Sequence, residues 1–301
     1  MSLNKKVSVI VPMYNAEVFL PELFNCFDNC NFVEGDEIIL VDNNSTDKTY
    51  QMCEEKMSSK KELYHLLKYD LKADSYAARN HAVKHATGDV FAFTDSDCKP
   101  TKEWLNRVRN GFSEGEVLAG EVQLEILNNG VWECFDAITH LSQSKEHIAN
   151  DYVATANMSV HRKDFFDIGL FEERFAGGDF EWSKRASRKG YKIKYCPEAL
   201  VYHPSRKTYD EILTRERRGA YGAGKAQKMK NGSYPLLVVK YFLKIFKADT
   251  YMKLTKKLKQ HGISSKELRH FNVCFFKIRR EQLKSAIAGY KGLDARSIGV
   301  K

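Results

Sequence analysis

The chain has 301 residues, a net charge of +9, and 43% apolar and 29% charged side chains, enough for a large buried core. This composition excludes a disordered chain, and 18 glycines and 6 prolines exclude a collagen-like one. Lysines cut the longest apolar runs, whereas a bilayer crossing needs roughly 20 apolar residues, so we expect no transmembrane helix. The start of the chain lacks an apolar secretory region, and the seven cysteines show no C-x-x-C pair. We therefore expect a cytoplasmic protein with reduced cysteines.

Short apolar segments rich in β-branched residues alternate with segments of helical spacing in the first hundred residues. Strands that are apolar throughout and alternate with helices are typical of a parallel sheet covered on both faces. The predicted fold class is therefore α/β, with a Rossmann-like, mixed but mainly parallel sheet flanked by helices. The predicted strands are 6–12, 37–41, 63–69 and 90–94, and the predicted helices are near 19–27, 46–57 and 76–85.

Polar residues follow three of these strands. Tyr14 comes just after Pro12 at the end of the first strand, and Asp42 follows the second. Asp95 and Asp97 follow the fourth strand as a D-x-D sequence. Because parallel sheets bind ligands at the carboxyl ends of their strands, we expect these residues to form one site.

The D-x-D sequence is compatible with a divalent cation. One carboxylate can ligate Mg²⁺ or Mn²⁺, which prefer oxygen ligands such as carboxylates and diphosphates, while the other bonds a neighbouring group. The common nucleotide-binding glycine motifs are absent after the first strand. Gly219, Gly222 and Gly224 form a G-x-x-G-x-G string in a basic segment with no preceding strand, which favours helix packing over a dinucleotide loop.

Ordered motifs over about 200 residues resemble the family 2 inverting glycosyltransferases of the GT-A fold. Each motif is unspecific alone, and the combination is specific. The motifs are V-S-V-I-V-P-M-Y-N (7–15), I-I-L-V-D-N-N-S-T-D-K-T (38–49), A-A-R-N-H-A (77–82), A-T-G-D (86–89), F-T-D-S-D (93–97), P-T-K-E-W-L (100–105), A-N-M-S-V (156–160), G-L-F-E-E-R-F (169–175), G-G-D-F-E-W-S-K-R (177–185), G-Y-K-I (190–193) and V-Y-H (201–203).

The resemblance implies a nucleotide-sugar site at the sheet edge. Pro12, Tyr14 and Asp42 match positions that bracket the uracil and ribose of a UDP-sugar. Arg79 matches a residue near the nucleotide, and Asp95 matches the acidic residue near the ribose and sugar.

The resemblance also implies a metal and a catalytic base. Asp97 matches the ligand of Mn²⁺ or Mg²⁺, and His203 matches a histidine that approaches the metal or diphosphate in several relatives. Asp179 matches the aspartate of the E-D motif, the general base. The acid before it is absent, because residue 178 is glycine, and we expect the flanking glycines to allow close approach of a ligand.

Three further residues are predicted on the acceptor side. They are Asn157, Glu181 and Trp182. Trp182 is compatible both with stacking on an acceptor sugar and with core packing. For Glu181, an ion pair or a cap on its own helix is the preferred alternative.

The predicted activity is metal-dependent, inverting hexosyl transfer from a nucleotide-sugar, with UDP as the expected nucleotide, to a hydroxyl of a glycan or lipid-linked acceptor. Absence of the Q-x-x-R-W box favours a non-processive enzyme of cell-surface polysaccharide or cell-wall glycan synthesis. The predicted domains are a catalytic domain at 1–204, with a nucleotide-sugar half (1–100) and an acceptor half (101–204), and a basic region at 205–301. One alternative is a catalytically inactive GT-A-like binding protein.

The basic region holds 24 basic and 7 acidic residues, a net charge of +17, and shows helical spacing at 208–230 and 234–290. Such asymmetry is typical of a region that faces an anionic partner. Lysines are mixed with aromatic residues at 240–247, which fits an amphipathic helix on the anionic cytoplasmic membrane surface or a helix packed on the catalytic domain. A basic nucleic-acid-binding protein is the other alternative, but no RNA-binding signature is present, so we expect no nucleic acid. The sequence is compatible with a homo-oligomer.

Overall fold

The computed structural model describes residues 5–71, 74–140, 143, 152–174, 176–295 and 299. These residues form two compact units. The first consists of the described residues within 1–123, 141–173 and 178–204, and the second of those within 124–140, 174–177 and 205–301. The predicted basic region therefore shares its unit with two earlier segments. The division of the first unit into nucleotide and acceptor halves stays a prediction.

Eight strands in the described part of the chain form one sheet, in the order β3-β2-β1-β4-β7-β6-β8-β5. The strands are β1 (Val7–Met13), β2 (Glu37–Asp42), β3 (Tyr64–Lys68), β4 (Val90–Thr94), β5 (Lys99–Pro100), β6 (Glu116–Glu125), β7 (Asn157–His161) and β8 (Lys192–Pro204). The helices are α1 (Leu20–Asn29), α2 (Thr49–Ser59), α3 (Ser75–His85), α4 (Trp104–Asn110), α5 (Val131–Thr139), α6 (Arg162–Ile168), α7 (Gly178–Arg188), α8 (Tyr209–Met229), α9 (Tyr234–Ile245), α10 (Ala248–Gln260) and α11 (Ser265–Lys291).

The sheet is parallel from β3 to β4, and β7 runs antiparallel to β4 and β6. The ends of the central strands coincide, because Met13 pairs with Asp42 and Asp42 pairs with Lys68. The loops that follow β1, β2 and β4 therefore leave the sheet at one edge. The predicted α/β fold class is confirmed, and the four predicted strands match β1 to β4.

Helices cover both faces of the sheet, as expected for strands that are buried throughout. On one face, Val9 and Leu40 belong to a core that includes Phe27 of α1 and Trp104 of α4. On the other face, Ile10 belongs to a core with residues of α3, α6 and α7. Successive strand residues point to opposite faces, so Val9 and Ile10 serve different cores. Each fully buried large side chain contributes about 1.5–3 kcal/mol.

The second unit is built around close packing of α8 on α11. A Cβ atom on Gly224 would lie 2.1 Å from the carbonyl oxygen of Ala286, and one on Gly289 would lie 2.1 Å from that of Tyr221. Only glycine allows the two backbones to approach this closely. The predicted packing role is confirmed for Gly224, whereas a Cβ on Gly219 would meet nothing within 4 Å.

The predicted helical segment at 234–290 consists of three helices, α9, α10 and α11. Gly262 has φ +82°, a left-handed conformation that favours glycine and ends the turn after α10. Ser264 then caps α11, because its hydroxyl accepts a hydrogen bond from the Glu267 amide at 3.3 Å. None of the helices in the described ranges combines the length and the apolar content that a bilayer crossing requires.

Candidate active site

The loops that follow β1 and β2 are tied together. The side-chain oxygen of Asn15 accepts a hydrogen bond from the Thr46 amide at 2.8 Å, and the Ser45 hydroxyl accepts one from the Asn15 amide at 3.0 Å. Asn15 has φ 48°, a left-handed conformation that asparagine tolerates. These bonds order the two loops that follow Met13 of β1 and Asp42 of β2.

Asp42 carries a buried carboxylate with an unused acceptor. The residue is 4% exposed, and its Oδ2 accepts from the Ser45 amide at 3.4 Å. Its Oδ1 has no hydrogen-bond partner among the described residues. A buried acceptor without a partner costs about 1–3 kcal/mol, so a ligand N–H at this atom would be favoured. Tyr14 lies 58% exposed beyond the end of β1, and Pro12 is buried within that strand.

Arg79 of α3 holds Asp95. The guanidinium hydrogen-bonds to Oδ1 of Asp95, and the arginine is only 3% exposed. The Asp95 side chain keeps 30% of its surface exposed, so it can still contact a ligand. The A-R-N motif also fixes the fold, since the Asn80 side chain bonds both backbone polar groups of Phe171 at 2.8 and 3.0 Å.

Asp97 and His203 form a second cluster, with Cys98 beside them. Nδ1 of His203 lies 2.8 Å from the Pro204 carbonyl oxygen, which can only accept, so Nδ1 carries a proton. In the neutral ring, Nε2 therefore has a lone pair, and it lies 3.4 Å from Oδ2 of Asp97. Two lone pairs that face each other at this distance can both ligate one cation.

Cys98 does not complete this donor set. Burial raises the pKa of its thiol well above the usual value, and Sγ lies 3.8 Å from the Ala156 carbonyl oxygen. A protonated thiol is a poor ligand, and Mg²⁺ and Mn²⁺ prefer oxygen and nitrogen. Asp97 and His203 are therefore the residues here that fit a hard divalent cation.

Asp179 lies in the first turn of α7, where the helix dipole favours a negative charge. Its Oδ1 accepts from the Tyr76 hydroxyl at 3.1 Å, and its Oδ2 accepts from the Tyr152 hydroxyl at 3.0 Å. The Phe180 amide adds a bond to Oδ1 at 2.8 Å. Burial raises the pKa of the Asp179 carboxyl, and these hydrogen bonds partly offset that effect.

Gly178 does not provide the close ligand approach that we expected. A Cβ atom at this position would lie 2.8 Å from the Tyr76 ring, so the ring occupies the space beside residue 178. The group that comes close to residue 178 is therefore a side chain of the protein and not a ligand. Gly177 has φ +76°, a left-handed conformation that favours glycine.

The acceptor-side predictions need correction. Trp182 is fully buried, stacks on Phe165 at 5.5 Å and belongs to the core, so stacking on an acceptor sugar is wrong. Asn157 is also fully buried. Its side-chain nitrogen donates to two backbone carbonyls at 2.7 and 2.8 Å, and its side-chain oxygen accepts from the Trp104 indole. A role in binding the acceptor is therefore wrong for this residue too. Glu181 pairs with Arg185 at 3.0 Å on its own helix, the alternative that the sequence favoured.

Two tyrosines of the site were not predicted. Tyr76 precedes Arg79 by three residues on α3, and this spacing places both side chains on one helix face, a signal that the sequence contained. The Arg79 guanidinium lies 5.6 Å from the centre of the Tyr76 ring. Tyr152 precedes β7 outside regular structure, and no local pattern predicts that its hydroxyl reaches Asp179.

Comparison with known proteins agrees with this architecture. The glycosyl transferase family 2 profile matches residues 8–162, and the glycosyl transferase family group 2 profile matches 129–259. The chain is 32% identical to glycosyltransferase AglE of Haloferax volcanii over an alignment of 222 residues, and this alignment covers 72% of each chain. It is 28% identical to the amylovoran biosynthesis glycosyltransferase AmsB of Erwinia amylovora, covering 65% of this chain and 69% of that protein.

Solved structures share the fold. The mannosyltransferase PcManGT of Pyrobaculum calidifontis, in complex with GDP-Man and Mn²⁺, aligns with a TM-score of 0.64 and 14% identity over 97% of this chain and 89% of its own. S. aureus TarS 1–349 in complex with UDP-GlcNAc aligns with a TM-score of 0.53 and 17% identity, over 98% of this chain and 92% of its own. The sequence matches and the GT-A-like sheet agree with the predicted resemblance, and the chain is a glycosyltransferase that belongs to glycosyl transferase family 2.

Proposed function

We propose that the protein transfers a sugar from a nucleotide-sugar to a hydroxyl of a glycan or lipid-linked acceptor, with inversion at the anomeric carbon. The observation that carries this proposal is the Asp179 carboxylate, which is held by two tyrosine hydroxyls and has a raised pKa. A general base works best when its pKa is close to the operating pH.

Asp179 would accept the proton of the acceptor hydroxyl as that oxygen attacks the sugar. The hydroxyl has a pKa far above neutral, so it must lose its proton during the attack. Base catalysis of this kind contributes typically about 10²–10⁴-fold to the rate. A single displacement from the side opposite the diphosphate inverts the anomeric carbon.

Asp97 and His203 would hold the metal, since they are the described residues whose oxygen and nitrogen atoms converge as cation ligands. When bound there, Mn²⁺ or Mg²⁺ would supply positive charge to neutralise the charge that develops on a departing diphosphate. Two structural neighbours support a divalent cation, because PcManGT was solved with Mn²⁺ and GalNAc-T7 with UDP, GalNAc and Mn²⁺.

Asp42 and Tyr14 would bind the nucleotide base. The unused Oδ1 of Asp42 is an acceptor for a base N–H, and Tyr14 offers an exposed ring for stacking. Arg79 would keep Asp95 in place for contact with the ribose and sugar. UDP is our proposed nucleotide, and GDP is the alternative, because the neighbours include complexes with UDP-GlcNAc and with GDP-Man.

A thermal-shift screen tests the donor proposal. UDP-GlcNAc, UDP-glucose, UDP-galactose and GDP-mannose would each be added with Mn²⁺, with Mg²⁺ or with EDTA. Binding stabilises a protein by RT ln(1 + [L]/Kd), about 2.7 kcal/mol at a hundredfold excess over Kd. We expect a donor to raise Tm with a cation and much less with EDTA. If no donor raises Tm under any condition, the nucleotide-sugar proposal is wrong.

We also propose that α9 docks on the cytoplasmic face of an anionic membrane, which would give the enzyme access to a lipid-linked acceptor. Leu237 and Tyr241 face inward, because they pack with Ala220 and Ala286. The opposite side of the helix is apolar but exposed. Its members, with 51–67% exposure, are Leu236, Val239, Phe242 and Leu243, and Phe246, the residue that follows the helix, extends this surface.

Charge complementarity supports anionic lipid as the proposed partner. Lys240 and Lys247 are exposed beside the apolar face, and residues 205–301 carry a net charge of +17. Each lysine or arginine near an anionic membrane contributes about 1 kcal/mol, and buried apolar area adds to the binding of an amphipathic helix. Neutral lipid would provide only the apolar part of this interaction.

Vesicle flotation tests the membrane proposal. We expect binding to phosphatidylcholine vesicles that contain phosphatidylglycerol and little binding to pure phosphatidylcholine. Leu243→Asp should weaken binding, whereas Leu71→Asp, at a position that is 84% exposed in the first unit, is the matched control. Equal flotation of both variants and the unmodified protein would contradict docking through α9.

A further inference from the structure

Among the residues that the structure describes, the hydrogen bonds to the Asp179 carboxylate leave one of its acceptor positions open. A carboxylate offers about four lone-pair positions, two on each oxygen. Oδ1 accepts from the Tyr76 hydroxyl at 3.1 Å and from the Phe180 amide at 2.8 Å, so both of its positions are used. Among the described residues, Oδ2 accepts only from the Tyr152 hydroxyl, at 3.0 Å.

We infer that Tyr76 and Tyr152 are positioning residues that orient the Asp179 carboxylate, so that Oδ2 is the atom that takes the acceptor proton. This inference rests on the proposed role of Asp179 as general base. The two hydroxyls come from α3 and from the segment before β7, so they hold the two oxygens independently and restrict rotation of the carboxylate. A base held in this way loses less conformational freedom when the acceptor binds.

Gly178 makes this arrangement sterically compatible. A Cβ at residue 178 would lie 2.8 Å from the Tyr76 ring, so a larger residue would displace the ring that carries the hydroxyl. The ring is also fixed from other directions, because Phe171 lies 5.8 Å away and Arg79 lies 5.6 Å from its centre. The family's first acid is absent here, and the Tyr76 ring occupies the space beside its position.

Charged and titratable groups around Asp179 act in both directions. Burial raises the pKa of the Asp179 carboxyl, and the Phe180 amide, both tyrosine hydroxyls and the positive charge of Arg79 lower it. Burial, followed by the negative charge of Asp179, raises the pKa of both tyrosines, and Asp95 adds to this effect at Tyr152, so both tyrosines remain protonated donors. Removal of either hydroxyl takes away a bond to the charged form, so the pKa of Asp179 should rise.

Carbon NMR tests the two hydroxyls without a substrate. The protein would be labelled with ¹³C at the aspartate side-chain carboxyl, and the Asp179 signal assigned by its loss in Asp179→Asn. We expect Tyr76→Phe and Tyr152→Phe each to raise the titration midpoint of this signal by about one pH unit, and the double variant to raise it further. Tyr191→Phe is the matched control, because its hydroxyl donates to Asp167 at 2.9 Å and not to Asp179.

The Phe variants keep both rings, so packing should be retained, and circular dichroism checks the fold. If Tyr76→Phe does not fold, Tyr152→Phe tests the bond to Oδ2 alone. An unchanged Asp179 midpoint in the folded variants would overturn the inference, because packing alone would then explain the tyrosines.

A pH profile then separates this inference from the proposed function. The assay is Mn²⁺-dependent hydrolysis of UDP-GlcNAc or GDP-mannose, followed as nucleotide release between pH 4 and 9. We expect the acid limb of kcat/KM to move upward in pH together with the NMR midpoint. If the midpoint moves and the limb does not, the hydrogen bonds are real but Asp179 is not the base. If both stay unchanged in Tyr76→Phe and Tyr152→Phe, the positioning role is wrong.

Discussion

Replacement of Asp179 by asparagine tests the base directly. Aspartate and asparagine side chains have nearly the same shape, so a polar group remains in the same position next to the two tyrosine hydroxyls and the Phe180 amide. The substitution removes the lone-pair basicity and the charge, while the residues that hold the nucleotide and metal are unchanged. We expect transfer to fall by about 10²–10⁴-fold, the usual contribution of a general base. Donor binding should stay within a few-fold of the original value.

The same substitution should not reduce the stability of the protein. The folded pKa of Asp179 lies above its unfolded value, so the folded state binds more protons than the unfolded chain as pH falls through that range. At pH values above the folded pKa, the ionised carboxylate therefore lowers the free energy of unfolding, and asparagine removes this destabilising effect. In urea denaturation we expect Asp179→Asn to be at least as stable as the unmodified protein at pH 8. The difference in the free energy of unfolding between Asp179→Asn and the unmodified protein should decrease as pH falls below the folded pKa.

Two assays read these effects on the same preparations. Rates would be measured as nucleotide released from the donor identified in the thermal-shift screen, and donor affinity by calorimetry with Mn²⁺. Activity within tenfold of the unmodified protein would refute Asp179 as the base. A large loss of activity together with lost donor affinity would refute the separation of base and donor functions.

Further predictions concern the metal, the nucleotide and the membrane. Asp97→Asn and His203→Gln should each remove most of the Mn²⁺-dependent rise in Tm with a nucleotide-sugar, and an unchanged Mn²⁺ effect in both would contradict the proposed ligands. Asp42→Ala should weaken UDP binding by about tenfold or more, measured by calorimetry, because it removes the unused buried acceptor. Lys240→Gln with Lys247→Gln should weaken flotation with anionic vesicles, and raised salt should weaken it in the unmodified protein, since the Debye length is about 8 Å at physiological salt.

The sheet could be predicted from the sequence because its strands are apolar throughout. A continuous apolar strand bounded by polar residues predicts both burial and the edge at which ligands bind. The ends of the first, second and fourth apolar strands therefore predict Tyr14, Asp42, Asp95 and Asp97 at one edge of the sheet. The pairing of Arg79 with Asp95 could not be read from spacing, because it depends on how α3 packs on the sheet.

The acceptor side was harder to predict. The Trp182 side chain has one polar atom and an otherwise apolar surface, so the sequence is compatible both with stacking on a sugar and with packing in the core. The structure buries the whole ring, which shows that it packs in the core. Asn157 bonds backbone groups of two other segments, a role that depends on tertiary contacts. Tyr152 likewise reaches Asp179 across 27 positions in the chain.

The stereochemistry of donor hydrolysis tests the central claim most directly. Proton NMR would follow the first sugar released from an α-linked nucleotide-sugar in the presence of Mn²⁺, before mutarotation equilibrates the anomers. A single displacement assisted by Asp179 predicts that the β-anomer appears first. Initial release of the α-anomer would show retention and would contradict the proposed mechanism.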